Sequence, residues 1–171
     1  MASKSAVFFD RDGTLNVDVH FLHEIEKFRW VEGAVDAVRA VNARGALAIV
    51  ITNQSGIARG YYTEEEMYRL HEWMNEELQK HGAHIDAFYY CPHLTDGAVE
   101  AYREDCDCRK PKPGMLLRAM KEHDIDPARA VMIGDAARDV ECAERAGIRG
   151  TLYAGGSLLP VTLEALDSCG I

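Results

Sequence analysis

Short unbroken apolar runs alternate along this chain with longer segments whose apolar residues recur every three or four positions. Ala6-Val7-Phe8-Phe9 is such a run and closes on Asp10. From Ala34 to Ala43 the apolar residues Ala34, Val35, Val38 and Val41 fall at helical spacing, with Gly45 as a stop. Leu47–Ile51 is a second buried-strand pattern, ending in Thr52. Thr63 followed by Glu66 makes a capping box. That helix runs to about Lys80, with Met67, Leu70, Trp73, Met74 and Leu78 on its apolar stripe. Ile85–Tyr90 reads as a third strand, and the stretch from Cys91 to Cys108 is polar and irregular. Pro113 opens a helix carrying Met115, Leu116, Leu117, Ala119 and Met120. Ala130–Ile133 is a fourth strand, leading to Gly134-Asp135. Val140–Ala146 is helical with Gly147 as its end, Thr151–Tyr153 is a fifth strand, and a short helix starts near Pro160.

Strand and helix in alternation predict an α/β fold, a doubly wound, Rossmann-like parallel sheet with both faces covered. No repeat, low-complexity tract or linker interrupts it, so one domain over residues 1–171 is expected, with the 91–108 loop inserted. In such folds ligands sit beyond the carboxyl ends of the strands. Asp10, Thr52, Cys91 and Asp135 all stand there.

The chemistry at those ends is specific. Asp10-Arg11-Asp12-Gly13-Thr14 brings two carboxylates out close together where the chain leaves the sheet, and Gly13 permits a sharp turn. Magnesium takes a few hard oxygen ligands and leaves the rest to water and phosphate, a role Asp135 can share. Asp10 can then attack phosphorus as a carboxylate nucleophile, while Asp12 protonates the leaving alkoxide and later activates water. Thr52, at the head of Asn53-Gln54-Ser55-Gly56, offers a hydroxyl and backbone amides to a phosphate oxygen. Lys110 can neutralise the charge of phosphoryl transfer. Asp139, one helical turn after Asp135, can hold backbone or lysine near the site. Singly, each element has a plainer reading as a turn, a strand end, a solvated Arg-Lys pair or an N-cap. Their order along the chain is what carries the argument.

Composition narrows the partners. A chain of 171 residues, 47% hydrophobic and 27% charged, buries a core without disulfides. The formal charge of −9 opposes nucleic acid and anionic membrane surfaces. The one dense basic cluster, Arg109, Lys110 and Lys112, suits a small phosphorylated molecule. No apolar run approaches the roughly 18–20 residues of a membrane span. The polar start from Met1 to Ser5 does not have the form of a signal peptide, and a cytoplasmic location is expected. Three of the five cysteines cluster with a histidine as Cys91-x-His93 and Cys106-x-Cys108. In a cytosolic chain this reads as metal binding. Zinc takes such a set as a closed tetrahedron, a structural site that would fix a loop lacking packing of its own.

Together, Asp10-Arg11-Asp12-Gly13-Thr14, Thr52, Lys110 and Gly134-Asp135 with Asp139 resemble the four motifs of the haloacid dehalogenase-like phosphohydrolases. Longer runs narrow the likeness: Phe9–Asp18, Thr52–Gly60, Tyr89–His93 and Cys106–Met115. Over roughly residues 5 to 153 the chain resembles the D-glycero-D-manno-heptose 1,7-bisphosphate 7-phosphatases, with histidinol-phosphate phosphatases as the neighbouring group. The resemblance implies hydrolysis of the 7-phosphate through an aspartyl-phosphate, giving heptose 1-phosphate for nucleotide-activated heptose synthesis. Histidinol phosphate or another small sugar phosphate is the alternative substrate. It implies Asp10 as nucleophile, Asp12 as acid/base, and Thr52 and Lys110 on the phosphoryl group. Magnesium would be held by Asp10, the Asp12 carbonyl and Asp135, and zinc by Cys91, His93, Cys106 and Cys108. Substrate would be contacted by Asp18, Val19, His20, Phe21, Asn53, Gln54, Ser55 and Arg109. No long insert follows the first or second strand, so no large cap domain is expected, and a monomer is expected. Two positions depart from the group: Ala136 stands where a basic residue follows the magnesium aspartate, and the loop after Asp18 reads Val19-His20-Phe21-Leu22. Arg138 is near, but its helical position is expected to point it elsewhere.

Overall fold

Strand β1, Lys4–Phe9, is buried from Ser5 onward, and its side chains divide by parity between two cores. Val7 and Phe9 face one side, with Ala48, Val50, Val131 and Ile133 of the neighbouring strands. Ala6 and Phe8 face the other, with Ile49, Ile51, Ala130 and Met132. This is why the runs are unbroken: a strand covered on both faces needs apolar residues at odd and even positions alike. A computed structural model describes residues 3–171, so the first two residues of the polar start, Met1 and Ala2, lie outside the described residues.

The strands β2 (Leu47–Asn53), β3 (Ala87–Cys91), β4 (Ile125–Gly134) and β5 (Arg149–Leu152) complete a parallel sheet in the order β3-β2-β1-β4-β5. The helices are α1 (Ala34–Ala43), α2 (Glu64–Gln79), α3 (Gly114–Glu122), α4 (Ala137–Arg145) and α5 (Leu158–Ser168). Apolar stripes of α1, α2 and α5 cover the Phe9 face, and those of α3 and α4 cover the Phe8 face. Each large side chain fully buried this way contributes about 1.5–3 kcal/mol. The expected doubly wound α/β architecture is therefore present.

Several boundaries differ from the sequence reading for local reasons. β3 begins at Ala87, not Ile85, because the Asn75 side chain takes both the amide and the carbonyl of Ile85 at 2.9 and 3.1 Å. β4 begins at Ile125, where it meets Lys4 before a register shift. α4 begins at Ala137, three residues earlier than expected, because Asp139 accepts the Ala136 amide at 3.1 Å as an N-terminal cap. α5 starts before Pro160, with Ser157 capping the Leu159 amide. The Thr63/Glu66 capping box of α2 is formed as expected. Trp73 is only partly buried, its ring edge-on to Phe28 at 5.2 Å, and Leu117 is exposed. Between β1 and α1, and between β3 and α3, the only helical turns are the 3-10 segments Ile25–Lys27 and Glu100–Tyr102. No helix among the described residues is long and apolar enough to cross a membrane.

Candidate active site

The carboxyl ends of β1, β2 and β4 converge on Asp10. Lys110, buried in the loop before α3, donates from Nζ to Asp10 Oδ1 at 2.7 Å, to Asp139 Oδ1 at 2.8 Å and to the Ile51 carbonyl at 3.1 Å. All three ammonium protons are thereby used. Asn53 holds the Lys110 backbone in place, accepting its amide at 2.9 Å and donating to its carbonyl at 3.3 Å. Burial pushes the Asp10 carboxyl up, to about 8, against the downward pull of Lys110 and with a further upward push from Asp139. Burial also works against the charge on Lys110, but Asp10 and Asp139 outweigh it and hold the ammonium above its ordinary value.

The second oxygen of Asp10 is buried and has no hydrogen-bond partner. A buried carboxylate oxygen left this way is costly, and it lies within a cluster formed with Asp135 and Asp139 whose ligand oxygens are all within 4.8 Å of one another. Hard oxygen donors around an orphaned oxygen fit a magnesium ion. Asp139 already takes Lys110 and the Ala136 amide, which leaves Asp10 and Asp135 as the ligands. The tight turn into this cluster requires glycine at two places. Gly13 has φ +90°, and a Cβ there would meet an Asp135 carboxylate oxygen at 2.3 Å; a Cβ on Gly134 would meet the Asp139 side chain equally closely.

Asp12 is gripped from three directions. Arg11 donates to both of its oxygens at 3.1 Å, Asn16 to Oδ1 at 3.0 Å and Gln54 to Oδ2 at 3.2 Å. Gln54 also donates to the Thr52 hydroxyl at 2.8 Å and accepts from the Tyr62 hydroxyl. Arg11 is fully buried and is held from behind by the Leu22 carbonyl at 2.8 Å and by His71 Nε2 at 3.1 Å. His71 stacks on Phe88, and burial, followed by the Arg11 charge, keeps its pKa well below the ordinary value, so it is a neutral acceptor.

Above this floor is a cleft of about 120 Å³. Asp10, Asp12, Thr52 and Lys110 form its base, and Asp18, Phe21, Tyr62, the turn from Asn53 to Ser55 and Arg138 its walls. Val19 and His20 do not line it, although both were expected to touch substrate. Arg109, expected there too, turns toward the His93 carbonyl at 3.4 Å and does not line the cleft. Arg138 corrects the sequence reading: it does line the cleft. A larger groove of about 730 Å³ runs along the outer edge of β3, away from Asp10.

In the 91–108 loop the Cys91, His93, Cys106 and Cys108 ligand atoms likewise lie within 4.8 Å of one another, with no disulfide. Cys91 Sγ is 2.8 Å from Cys108 Sγ, 3.4 Å from Cys106 Sγ and 3.7 Å from His93 Nδ1. His93 Nε2 meets Glu104 at 3.0 Å, the outer carboxylate that commonly orients a zinc-binding histidine. Three sulfurs and one imidazole nitrogen in this arrangement fit zinc.

Residues 107–168 match a HAD-hydrolase-like family model. Over 149 residues, 87% of this chain and 80% of the relative, the sequence is 49% identical to a D-glycero-beta-D-manno-heptose-1,7-bisphosphate 7-phosphatase of Pasteurella multocida. It is 45% identical over 163 residues, 95% and 85% of the two chains, to the protein of the same name in Escherichia coli K12. The chain belongs to this heptose-bisphosphate 7-phosphatase family. Among solved structures, the D,D-heptose 1,7-bisphosphate phosphatase of B. bronchiseptica, complexed with magnesium and phosphate, superposes with a TM-score of 0.82 at 27% identity, covering 95% of this chain and 98% of that one.

In this member of the heptose-bisphosphate 7-phosphatase family, sequence reasoning missed the layer behind the reacting groups. Asn16 lies in the Phe9–Asp18 run but was given no role, Tyr62 and His71 carry no motif, and His71 looks like any helical histidine. The available signal was its place on the buried stripe of α2, four residues after Met67 and three before Met74. Asp139 was anticipated to hold lysine or backbone, and it holds both.

Proposed function

We infer that this chain removes the 7-phosphate of D-glycero-D-manno-heptose 1,7-bisphosphate through a phosphoryl-Asp10 intermediate. The observation that carries this reading is the unpartnered, buried Asp10 Oδ2 at the base of a cleft beside a lysine fixed by two carboxylates. Family membership supports the substrate. Magnesium held by Asp10, the Asp12 carbonyl and Asp135 would draw charge from the phosphoryl oxygens and favour the ionised form of Asp10.

Asp10 attacks phosphorus, the bond from phosphorus to the sugar oxygen breaks, and the leaving alkoxide takes the proton of Asp12. Lys110 and the Thr52 hydroxyl stabilise the transferring group. Asp12, now a carboxylate, takes a proton from a water that attacks the phosphoryl-aspartate, releasing phosphate and restoring Asp10. Asn53 and Gln54 act from the side: one fixes Lys110, the other joins Thr52 to Asp12. Asp18, Phe21 and Ser55 contact the sugar. Cys91, His93, Cys106 and Cys108 would hold zinc, which would fix the loop that leads directly to Lys110.

A steady-state comparison across heptose 1,7-bisphosphate, histidinol phosphate and a DNA 3′-phosphate tests the reading. The heptose bisphosphate is expected to lead by at least about tenfold in kcat/KM, or ~1.4 kcal/mol. Equal or better turnover of histidinol phosphate rejects it.

A further inference from the structure

We propose that Arg138 is the substrate-binding residue that holds the second, non-reacting phosphate and so sets the preference for a bisphosphate over a monophosphate. The proposal rests on the reading above that the substrate carries two phosphates. A substrate with two dianions needs cations in two places. Lys110 serves only the reacting end, because Asp10, Asp139 and the Ile51 carbonyl fix its ammonium at the base of the cleft. Of the other arginines around the site, Arg109 is turned to the His93 carbonyl, and Arg59 lies over the Phe21 ring at 5.4 Å and near Ser55. Neither lines the cleft.

Arg138 does line it, is exposed, and makes no hydrogen bond or ion pair among the described residues. Its own helix does not occupy it: Glu141, one turn on, is taken by Arg145 at 2.8 Å. The neighbouring Ala136 and Ala137 present only methyl groups. The placement is also unfavourable for the helix. Arg138 is the second residue of α4, where the helix dipole disfavours a cation. A cation that gains nothing from its helix and faces the cleft with its donors free is suited to a ligand anion. The planar guanidinium can bind a phosphate through two parallel hydrogen bonds.

The test compares kcat/KM for heptose 1,7-bisphosphate with that for heptose 7-phosphate, and for fructose 1,6-bisphosphate with that for fructose 6-phosphate, in the parent and in Arg138→Ala. The bisphosphate-to-monophosphate ratio is expected to fall at least tenfold in the variant, mainly through KM. Arg138→Lys, which keeps the charge but not the fork, should recover part of it. A loss of the ratio in the fructose pair alone, with the heptose pair not turned over, keeps Arg138 in this role and rejects the heptose reading. A ratio unchanged by Arg138→Ala in every pair the parent hydrolyses overturns the inference. So does a parent that shows no bisphosphate preference in either pair.

Discussion

At the floor of the cleft three carboxylates, Asp10, Asp135 and Asp139, crowd together; in the 91–108 loop three thiols crowd around an imidazole. The floor has its own cation. Lys110 neutralises two of its carboxylates, the sheet and helices pack around them, and Arg11 braces Asp12 from below. The loop is anchored at Cys91, which ends β3 in the core, but no cation of its own bonds its thiols. Its regular structure is one 3-10 turn, and the sulfur of Cys91 beside Cys108 pushes that thiol well above its ordinary value. A thiol held up this way resists giving the thiolate a metal binds, unless the metal supplies the energy. The contrast teaches that similar clustering can suit a metal for different reasons: at the floor the ion would serve the chemistry, whereas in the loop it would tie the chain together.

The largest effect should come from removing charge at the floor without changing shape. Asp10→Asn and Asp12→Asn are each expected to lower kcat by ~10²–10⁴ or more; the unfolding midpoint should stay close to the parent's in Asp10→Asn and fall in Asp12→Asn, which leaves the buried Arg11 without its carboxylate. Single-turnover kinetics with circular dichroism melts measure both. Turnover within tenfold of the parent in either variant would remove that residue from the mechanism.

Next in size is the loop. Protein purified without added metal is expected to hold about one equivalent of zinc by elemental analysis. Cys106→Ser should lose it and melt lower by roughly 5 °C or more, about 2 kcal/mol for a chain of this size. Withdrawing magnesium should instead stop turnover and leave the melt in place. A variant that keeps both zinc and stability, or a parent whose melt follows magnesium as strongly as zinc, erases the difference between the two regions.

Much of the floor was legible before the fold. The Asp-x-Asp-Gly-Thr turn, Thr52 and Asp135 lie at strand ends, where an unbroken apolar run stops, so period and motif coincide, and Lys110 was legible from its Arg-Lys-Pro motif. The thiol cluster was legible because cysteines are few and spacing alone brings them together. What stayed hidden depends on side-chain direction across long separations. Gln54 reads as a substrate contact and does line the cleft, but its bonds to Asp12, Thr52 and Tyr62 behind the cleft were not legible. Arg138 was expected to point away, but Asp139 caps α4 so that the helix starts three residues sooner, and this places Arg138 in the first turn above the cleft. The 60-residue separation between Arg11 and His71 leaves no local trace at all.

That last contact gives the smallest and most selective test of the floor as a region neutralised from within. Arg11 is a fully buried cation, and His71 can accept from it only while neutral. Burial and the Arg11 charge lower the folded pKa of His71 well below 6.5. In the unfolded chain it titrates near 6.5, so at lower pH the unfolded state binds a proton that the folded state refuses. Stability supplied by neutral His71 is therefore complete above about pH 6.5 and declines as pH falls, by up to about 1.4 kcal/mol per pH unit. Asp10 runs the other way. Its folded pKa is raised to about 8, so without metal its contribution declines as pH rises toward that value. The two slopes partly cancel in the parent, which is why a single profile does not decide the matter. The difference between parent and His71→Gln removes the Asp10 contribution from both. Urea unfolding at pH 7.5, 6.5 and 5.5, without divalent metal, should show the variant's stability cost shrinking toward acid pH, because glutamine has no proton to take up. A cost that stays constant across the series would mean that His71 contributes through packing on Phe88 alone, and that Arg11 does not depend on its neutrality.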